Sequence, residues 1–364
     1  MKIRYLICCL ALSACYLGEE TPPDQTTWEY GRPKDFGLSE DSLLSINARL
    51  IANQNTQETF NFLTGLIIIK DRNLVFENYY LGTNRVAKQN IGQGGLTFVL
   101  SAIGVAEDKR QLSISDPIFN YLPEYIDIFE ADTTKKAITI EHLLKHKGGL
   151  SWNESIFPVI SPQSDLTLMR AENDWIRFVL EKPLEAPPGL RFNLNSASGL
   201  ILSKIIENAS GMDYLSFLDE NILQPLDINS VEIETDPRGN YNSGNGLRVS
   251  LINWTKLGYL ILNEGIMNGR KIIDPNFIKE ATTLQTEVTS NYSVGYFWWL
   301  FAENFDNRLG VNPQEIYYIP GELGQHMYLL PSENAIISIF AENFFFGFNN
   351  PSLNLFEEIT FSFQ

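Results

Sequence analysis

Strand-forming segments lie at the two ends of this chain, and helical segments lie between them. Residues 62–70 are apolar and β-branched, residues 71–73 have the composition of a turn, and residues 74–80 alternate, which together predict a β-hairpin. The last third contains four more strand-like runs and a closing helical run, at residues 296–301, 315–319, 326–330, 335–341 and 353–361. We therefore predict an α+β fold, in which an antiparallel sheet completed from both chain ends is flanked by helices and carries an all-helical insertion.

Apolar residues at helical spacing mark the middle of the chain. Residues 96–108 predict a buried helix. Residues 139–146 predict a short amphipathic helix that Thr139 caps and that Gly148-Gly149 ends. The other predicted helices are residues 43–51, with Ser39 as N-cap, and residues 197–208, 214–222 and 249–263.

The first 15 residues have the pattern of a bacterial lipoprotein signal. Lys2 and Arg4 precede an apolar run that is too short to span a bilayer as a mature helix. The following Leu12-Ser13-Ala14-Cys15 resembles a lipobox, which predicts cleavage before Cys15 and lipidation of its thiol. Residues 16–27 would then be a flexible tether. An ordinary secretory signal and a chance apolar start are the alternatives. The lipobox predicts a lipid anchor in the bacterial cell envelope and leaves open which side of the membrane carries it.

Charge and cysteine content exclude several functions. The formal net charge is −17 at pH 7, which disfavours nucleic acid and anionic membrane surfaces as partners. The predicted cleavage removes Cys8 and Cys9 and lipidates Cys15, so no thiol remains for redox chemistry or metal binding. His142 and His146 could share one helical face, but no third metal ligand is evident. We expect structural roles for both, and neither a metal nor a cofactor.

A series of short strings resembles serine β-lactamases and penicillin-binding proteins, most closely their class C and esterase-type branches. Each string is short, but their order and spacing match from about residue 28 to the C-terminus. The resemblance implies one β-lactamase-like domain over residues 28–364, with an α/β part at about 28–92 and 270–364 and a helical part at about 93–269. The strings are Gly104-Val105-Ala106, Leu112 to Pro117, Tyr121 to Glu124, Ile138 to Leu144, Gly148 to Leu150, Pro187-Pro188-Gly189, Phe192-Asn193, Ser196-Ala197, Gln224-Pro225-Leu226, Gly246-Leu247-Arg248, Leu257-Gly258, Leu262 to Gly265, Asn268-Gly269, Trp298-Trp299, and Gly324-Gln325 with Pro331.

The three catalytic motifs of that family are replaced. The Ser and Lys of Ser-x-x-Lys, which are the nucleophile and its base, correspond to Gln93 and Leu96. The Tyr-x-Asn or Tyr-x-Ser motif, whose Tyr passes a proton to the leaving group, reads Leu194-Asn195-Ser196. The Lys-x-Gly or His-x-Gly motif reads Glu322-Leu323-Gly324, although some esterase-type members of the family also lack a cation there and keep a pair like Gly324-Gln325. Neither Ser-x-x-Lys nor Gly-x-Ser-x-Gly occurs anywhere in the chain.

These replacements predict a catalytically inactive relative of the serine hydrolases. We expect it to bind a cell-wall, acyl or peptide ligand, or a partner protein, through the remnant of the active-site cleft. The candidate ligand-binding residues are Gln93, Ser196, Gln325 and His326. Gly92, Gly94 and Gly95 could add backbone donors for an anion, or could have drifted to small residues. The sequence leaves the oligomeric state open.

The sequence is also compatible with two other functions. The first is a working esterase, D-Ala-D-Ala peptidase or β-lactamase with an unrecognised nucleophile, for which Thr97 and Ser101 are weak candidates. The second is a purely structural surface lipoprotein. A cleft lined by Gln93, Ser196 and Gln325 would favour binding, whereas a cleft filled by Leu96, Leu194 and Leu323 would favour the structural role. The aromatic residues Tyr292, Tyr296, Phe297, Trp298 and Trp299 are expected mainly in the core and in the cleft wall.

Overall fold

The computed structural model describes residues 28–52, 62–154, 161–303, 305, 309–321, 323–342 and 351–364. The predicted signal, the tether, Cys15 and the motif residue Glu322 lie outside the described residues. The division at residues 92 and 270 stays a prediction.

Nine strands form one sheet, in the order β1-β3-β2-β14-β13-β12-β11-β10-β9. Every neighbouring pair is antiparallel except β1 and β3, which are parallel. The predicted α+β class and its two-ended sheet are confirmed, with one parallel edge strand added. In chain order the strands are β1 (Glu29–Tyr30), β2 (Leu63–Lys70), β3 (Asn73–Tyr79), β4 (Lys88–Asn90), β5 (Glu232–Ile233), β6 (Leu247–Ser250), β7 (Ile266–Met267), β8 (Arg270–Lys271), β9 (Thr286–Glu287), β10 (Tyr292–Val294), β11 (Trp299–Phe301), β12 (Tyr317–Pro320), β13 (His326–Leu330) and β14 (Ala335–Ala341).

Helices cover both faces of the sheet. The longest described ones are α1, α2, α7 and α9, and a π-helical turn, Asp219–Leu223, extends α8. The helices are α1 (Glu40–Ala52), α2 (Leu96–Asp108), α3 (Ile126–Ala131), α4 (Ile140–Leu144), α5 (Asp165–Arg170), α6 (Trp175–Glu181), α7 (Ser198–Ser210), α8 (Tyr214–Leu218), α9 (Leu251–Leu262), α10 (Pro275–Ala281) and α11 (Pro351–Thr360). Within the described residues, none of these helices is both long and apolar enough to cross a membrane.

The alternation of side chains along the central strands divides the core in two. Ile67 and Ile69 of β2 face the larger cluster, which contains α2, α7 and α9. Leu66 and Ile68 face a second cluster, which contains residues of α1 and α11. Both faces of β2 are covered, so nearly the whole strand is buried.

Helix α2 begins in a buried 3-10 turn, Gly92–Gly95. Its residues are buried from Leu96 to Ala106, because α7 packs on one side and the rest of the larger cluster surrounds it. An almost entirely apolar helix is stable only in such surroundings. The first turn of α2 is therefore held at a fixed position beside the start of α7.

Several predicted boundaries were wrong for local reasons. The helix predicted at 249–263 begins at Leu251, because residues 247–250 form strand β6 between β4 and β5. The strand predicted at 296–301 begins at Trp299, because Phe297 has a φ of 61°. The middle of the chain is not all-helical, since β5, β6 and β7 lie within it. Thr139 does cap α4, and the side chain of His142 completes the cap.

Trp254 packs between the sheet and the start of α2, so its substitution should lower the stability of the fold. Its ring is fully buried, 5.8 Å from that of Phe340 on β14, and leaves no room for a Cβ at Gly94. We expect Trp254→Ala to lower the free energy of unfolding by about 3–5 kcal/mol, since the cavity cannot close. Trp254→Phe should cost clearly less. Urea unfolding followed by circular dichroism measures both, and a loss below about 1 kcal/mol for the alanine variant would contradict this packing.

Candidate functional site

The replaced motifs come from three separate parts of the fold. Residues 93–96 open α2, residues 194–196 precede α7, and residues 321–325 link β12 to β13. A Cβ at Gly321 would lie 2.7 Å from the carbonyl oxygen of Ile91, so the third segment lies against the start of the first. We call the described residues of these three segments the motif region.

Leu96 occupies the place that the resemblance gives to the catalytic lysine. Its side chain is fully buried. A Cβ added at Gly199 or Gly244 would lie 3.1 or 3.2 Å from its Cδ2 atom, so Leu96 fits against two bare stretches of backbone. No proton acceptor is present at this position.

Thr97 and Ser101, the weak candidates for a substitute nucleophile, are engaged inside α2. The Thr97 hydroxyl donates to the carbonyl of Gly94 at 2.6 Å, and the Ser101 hydroxyl donates to the carbonyl of Thr97 at 2.8 Å. Both side chains are buried. They complete the helix and present no hydroxyl to a cleft.

A carboxylate joins the first motif segment to the second. Gln93 Nε2 donates to Glu154 Oε1 at 3.1 Å. Glu154 Oε2 accepts from the backbone N–H of Ser196 at 2.9 Å and from its hydroxyl at 2.8 Å. The same oxygen accepts from Trp152 Nε1 at 2.6 Å. Glu154 is 7% exposed, so a buried carboxylate holds Gln93 and Ser196 together.

Sequence reasoning missed Glu154. It follows the string Gly148-Gly149-Leu150 by four residues, in a segment with no helical or strand pattern. A Trp-x-Glu sequence has no chemistry of its own. Only the folded chain shows that Glu154 reaches both Gln93 and Ser196.

The remaining residue of the second motif and its neighbour differ in exposure. Leu194 is half-buried, whereas Asn195 is buried. The backbone N–H of Asn195 donates to His146 Nδ1 at 3.3 Å. Because that nitrogen accepts, the neutral ring carries its proton on Nε2.

His146 also borders a small pocket. A cavity of about 10 Å³, roughly the size of one water, is lined by His146, Asn195 and apolar neighbours such as Leu143. Among the described residues, His146 Nε2 and Asn195 Oδ1 have no hydrogen-bond partner. These two atoms give the space one donor and one acceptor.

Gln325, in the third segment, is buried and engaged with its own backbone surroundings. Its side chain accepts from the N–H of Leu323 at 2.9 Å and donates to the carbonyl of Ala341 at 2.8 Å. Gly324 has a φ of 92°, in the left-handed region that suits glycine. The structure thus uses the Gln325 amide to hold the turn before β13, and a ligand role for Gln325 stays a prediction.

His326 does not join the other candidates. Its ring lies nearly parallel to those of Tyr318 and Tyr328, which stack on each other, and it is on the side of the sheet covered by α11, away from Met327 and the larger cluster. Its Nδ1 is 3.0 Å from the Tyr328 hydroxyl. A strand alternates its side chains between two faces, and His326 lies on the opposite face from α2 and α7.

Most of the aromatic group is core, as expected. Tyr296, Phe297 and Trp298 are fully buried, whereas Tyr292 and Trp299 are only half-buried.

His142 and His146 do not form a metal pair, because their Nδ1 atoms accept backbone N–H groups of Thr139 and Asn195. Among the described residues, no three His, Cys, Asp or Glu side chains are arranged to hold a metal ion.

Most of this sequence matches a known protein family. The model of the family described as Beta-lactamase matches residues 97–356. The chain belongs to the Beta-lactamase family. The match begins one residue after Leu96, so it includes neither Gln93 nor Leu96.

Curated relatives are distant and longer than the matched region. PbpX from Bacillus subtilis (strain 168) is 22% identical over 192 residues, which are 53% of this chain and 40% of PbpX. Protein Rv1367c from Mycobacterium tuberculosis is 21% identical over 217 residues, which are 48% of this chain and 54% of that protein. The chain thus spans about half of the curated relatives it matches, or less.

Solved structures confirm the β-lactamase-like fold. EstCE1, a hydrolase with promiscuous acyltransferase activity, superposes with a TM-score of 0.72 at 14% identity over 88% of this chain and 98% of its own. A penicillin binding protein from Bacillus halodurans gives a TM-score of 0.65 at 17% identity over 86% and 98%. At such identities the likeness concerns the fold alone.

Burial of two histidines predicts a marked dependence of stability on pH. Burial lowers the pKa of His146 and of His326 to about 3, compared with about 6.5 in an unfolded chain. The contribution of the two neutral histidines to the free energy of unfolding is fully present above pH 6.5. It is lost as the pH falls towards 3, because the unfolded chain takes up protons that the folded chain does not. The free energy of unfolding should fall by up to about 1.4 kcal/mol per pH unit for each histidine.

Urea unfolding between pH 7 and pH 5 tests this expectation. His326→Phe keeps an aromatic ring beside Tyr318 and Tyr328 but removes one titrating group, so the slope should fall by about one histidine's share. An unchanged slope in this variant would show that His326 does not titrate as its burial requires.

Proposed function

We propose that this protein is a catalytically silent member of the Beta-lactamase family, anchored by lipid in a bacterial cell envelope, and that it binds an acyl or peptide ligand at the motif region. One observation carries the proposal: Leu96 occupies the base position and is sealed against Gly199 and Gly244. Covalent hydrolysis by this family needs a nucleophile and a base within hydrogen-bond reach.

The chemistry of the other replacements points the same way. Gln93 has an amide, which is not a nucleophile, and this amide donates to Glu154. Leu194 has no phenol to pass a proton to a leaving group. Loss of the central groups of such a constellation lowers the rate by about 10⁶-fold in a well-studied hydrolase, which leaves only binding and backbone donors.

Ser196 and Glu154 are the one observation that favours an active enzyme. A serine hydroxyl 2.8 Å from a carboxylate has the separation of a nucleophile and its base. However, Ser196 has no exposed surface, and its hydroxyl is directed at a carboxylate oxygen that also accepts from Trp152. A carbonyl substrate has no route to this hydroxyl without rearrangement, so we rank hydrolysis second.

Burial in the motif region divides between the two alternatives that the sequence left open. Leu96, Ser196 and Gln325 are buried, which favours the structural role, so only part of the region is accessible to a ligand. Gln93, Leu194 and Leu323 are half-buried and combine one amide with two apolar side chains. Such a mixture suits a ligand with an apolar part and a few polar groups. Structural neighbours described as a penicillin binding protein and as a hydrolase with promiscuous acyltransferase activity make acyl and peptide ligands the first to test. The purely structural role is the alternative if no ligand is found.

Covalent labelling tests the loss of catalysis. The purified domain, incubated with a fluorescent penicillin and separately with a fluorophosphonate, should show no mass adduct after long incubation, whereas an active family hydrolase treated in parallel should be labelled. Gln93→Ser should remain unlabelled, because Leu96 cannot take its proton. A stoichiometric adduct on the unaltered chain would overturn the proposal. Its loss in Ser196→Ala would then identify the nucleophile.

Metabolic labelling tests the anchor. Cys15→Ala should abolish incorporation of labelled palmitate, because only this thiol follows the lipobox. Cys9→Ala is the matched control and should leave labelling unchanged, since Cys9 lies in the segment that is removed. Palmitate incorporation that persists in Cys15→Ala would contradict the lipoprotein assignment.

A further inference from the structure

Within the described part of the chain, four hydrogen-bond donors converge on one carboxylate in the motif region. Glu154 Oε2 accepts from Trp152 Nε1, from Ser196 N–H and from the Ser196 hydroxyl at 2.6, 2.9 and 2.8 Å. Glu154 Oε1 accepts from Gln93 Nε2 at 3.1 Å. An ionised carboxylate is acceptor-only, so a group of donors with this arrangement is selective for it.

The donors belong to elements that hold their positions without Glu154. Gln93 lies in the turn before the buried helix α2. Ser196 lies just before α7, a helix of 13 residues whose N-terminal dipole also favours a negative charge. Trp152 is 5% exposed and its ring packs on Phe178. These three residues form a cradle on a firm support, and Glu154 fills it.

We propose that Gln93, Trp152 and Ser196 form a carboxylate-binding site, and that Glu154 is its intramolecular ligand. The inference rests on the proposed function and deepens it, because it names carboxylates as the ligand class of the same site. A ligand carboxylate binds there only in exchange for the carboxylate of Glu154. The resting protein is therefore self-occupied.

A ligand carboxylate must displace that of Glu154, because the donors can serve only one carboxylate at a time. Each N–H or O–H that reaches Glu154 is already used, and a second carboxylate in the same buried space would meet a like charge at low dielectric. The Glu154 side chain also competes at the high effective concentration of a tethered group. The unaltered protein should therefore respond weakly to free carboxylates, and variants that weaken Glu154 should respond strongly.

Removal of the internal ligand gives the sharpest test. Glu154→Ala leaves the donors buried and empties a space the size of a carboxylate and its adjoining methylene groups. Added sodium acetate should fill it and raise the melting temperature of this variant saturably, by at least about 2 °C at ten times the dissociation constant. The unaltered chain should show only the response that sodium chloride gives at equal ionic strength. Glu154→Ala combined with Ser196→Ala should lose most of the acetate response.

A second variant keeps the test decisive if Glu154→Ala does not fold. Glu154→Gln has the same size, but its neutral amide is a weaker acceptor and places an NH₂ group among the donors. It should respond to acetate at a concentration at least about tenfold below that needed by the unaltered chain. Equal responses of Glu154→Gln, of any folded Glu154→Ala and of the unaltered chain would overturn the proposal.

N-acetylglycine distinguishes the source of the carboxylate. A response of the Glu154 variants to both N-acetylglycine and acetate supports a site open to the C-terminus of a peptide. A response to acetate alone supports a site for small free carboxylates. The labelling experiment with penicillin and fluorophosphonate is separate, since a silent protein can lack the carboxylate site and a reactive one can possess it.

Discussion

The pairing of β2 with β14 is the constraint on which the rest of this structure depends. These strands come from opposite ends of the chain and pair antiparallel from Lys70 with Ala335 to Leu63 with Ala341. Helix α9 packs on both strands and on β13. The chain between the two strands must leave the sheet and return to it, which brings the starts of α2 and α7 together on one side. The residues that the resemblance places in the motifs are therefore held together at this point of the fold.

The replacements change the electrostatics of that place in a consistent way. A lysine at position 96 would put a cation against the backbone of Gly199 and Gly244, whereas Leu96 gains from the same burial. The carboxyl group of Glu154 is buried, which would be costly without donors. Gln93 and Ser196 supply donors that stabilise it. Gln93, which the resemblance places at the nucleophile position, thus holds the same carboxyl group as Ser196, so these residues depend on one another.

The sequence predicted those features that depend on local pattern. The hairpin of β2 and β3, the buried helix α2 and the Thr139 cap each follow from residues that are close in the chain. The two-residue strand β1 and the strand β6 could not be predicted this way, because both exist only through pairing with distant partners. The left-handed residue Phe297, which delays β11, carries no local signal either.

The residues of the candidate site show the same difference between features that follow from local sequence and features that depend on distant contacts. Gln93, Leu96 and Ser196 were located by their places in motifs, and the fold brings them together. His326 was included because it follows Gly324-Gln325, although the alternation of β13 already placed it with Tyr328 rather than with Met327. Glu154 belongs to no motif and could be found only from its contacts.

The resemblance to the family is strong, but it does not indicate whether the protein is catalytic. The reason is physical. A Cβ at Gly149 would lie 2.4 Å from the carbonyl oxygen of Ala186, and one at Gly265 would lie 2.4 Å from that of Ile273. These glycines, which help to identify the family, are required where backbone meets backbone, whatever reaction the protein performs. The chemistry depends instead on a few side-chain atoms at the starts of α2 and α7. Those atoms can change while the packing that defines the family stays intact, so membership of the family fixes the shape of the site and leaves its contents free to become a binding site.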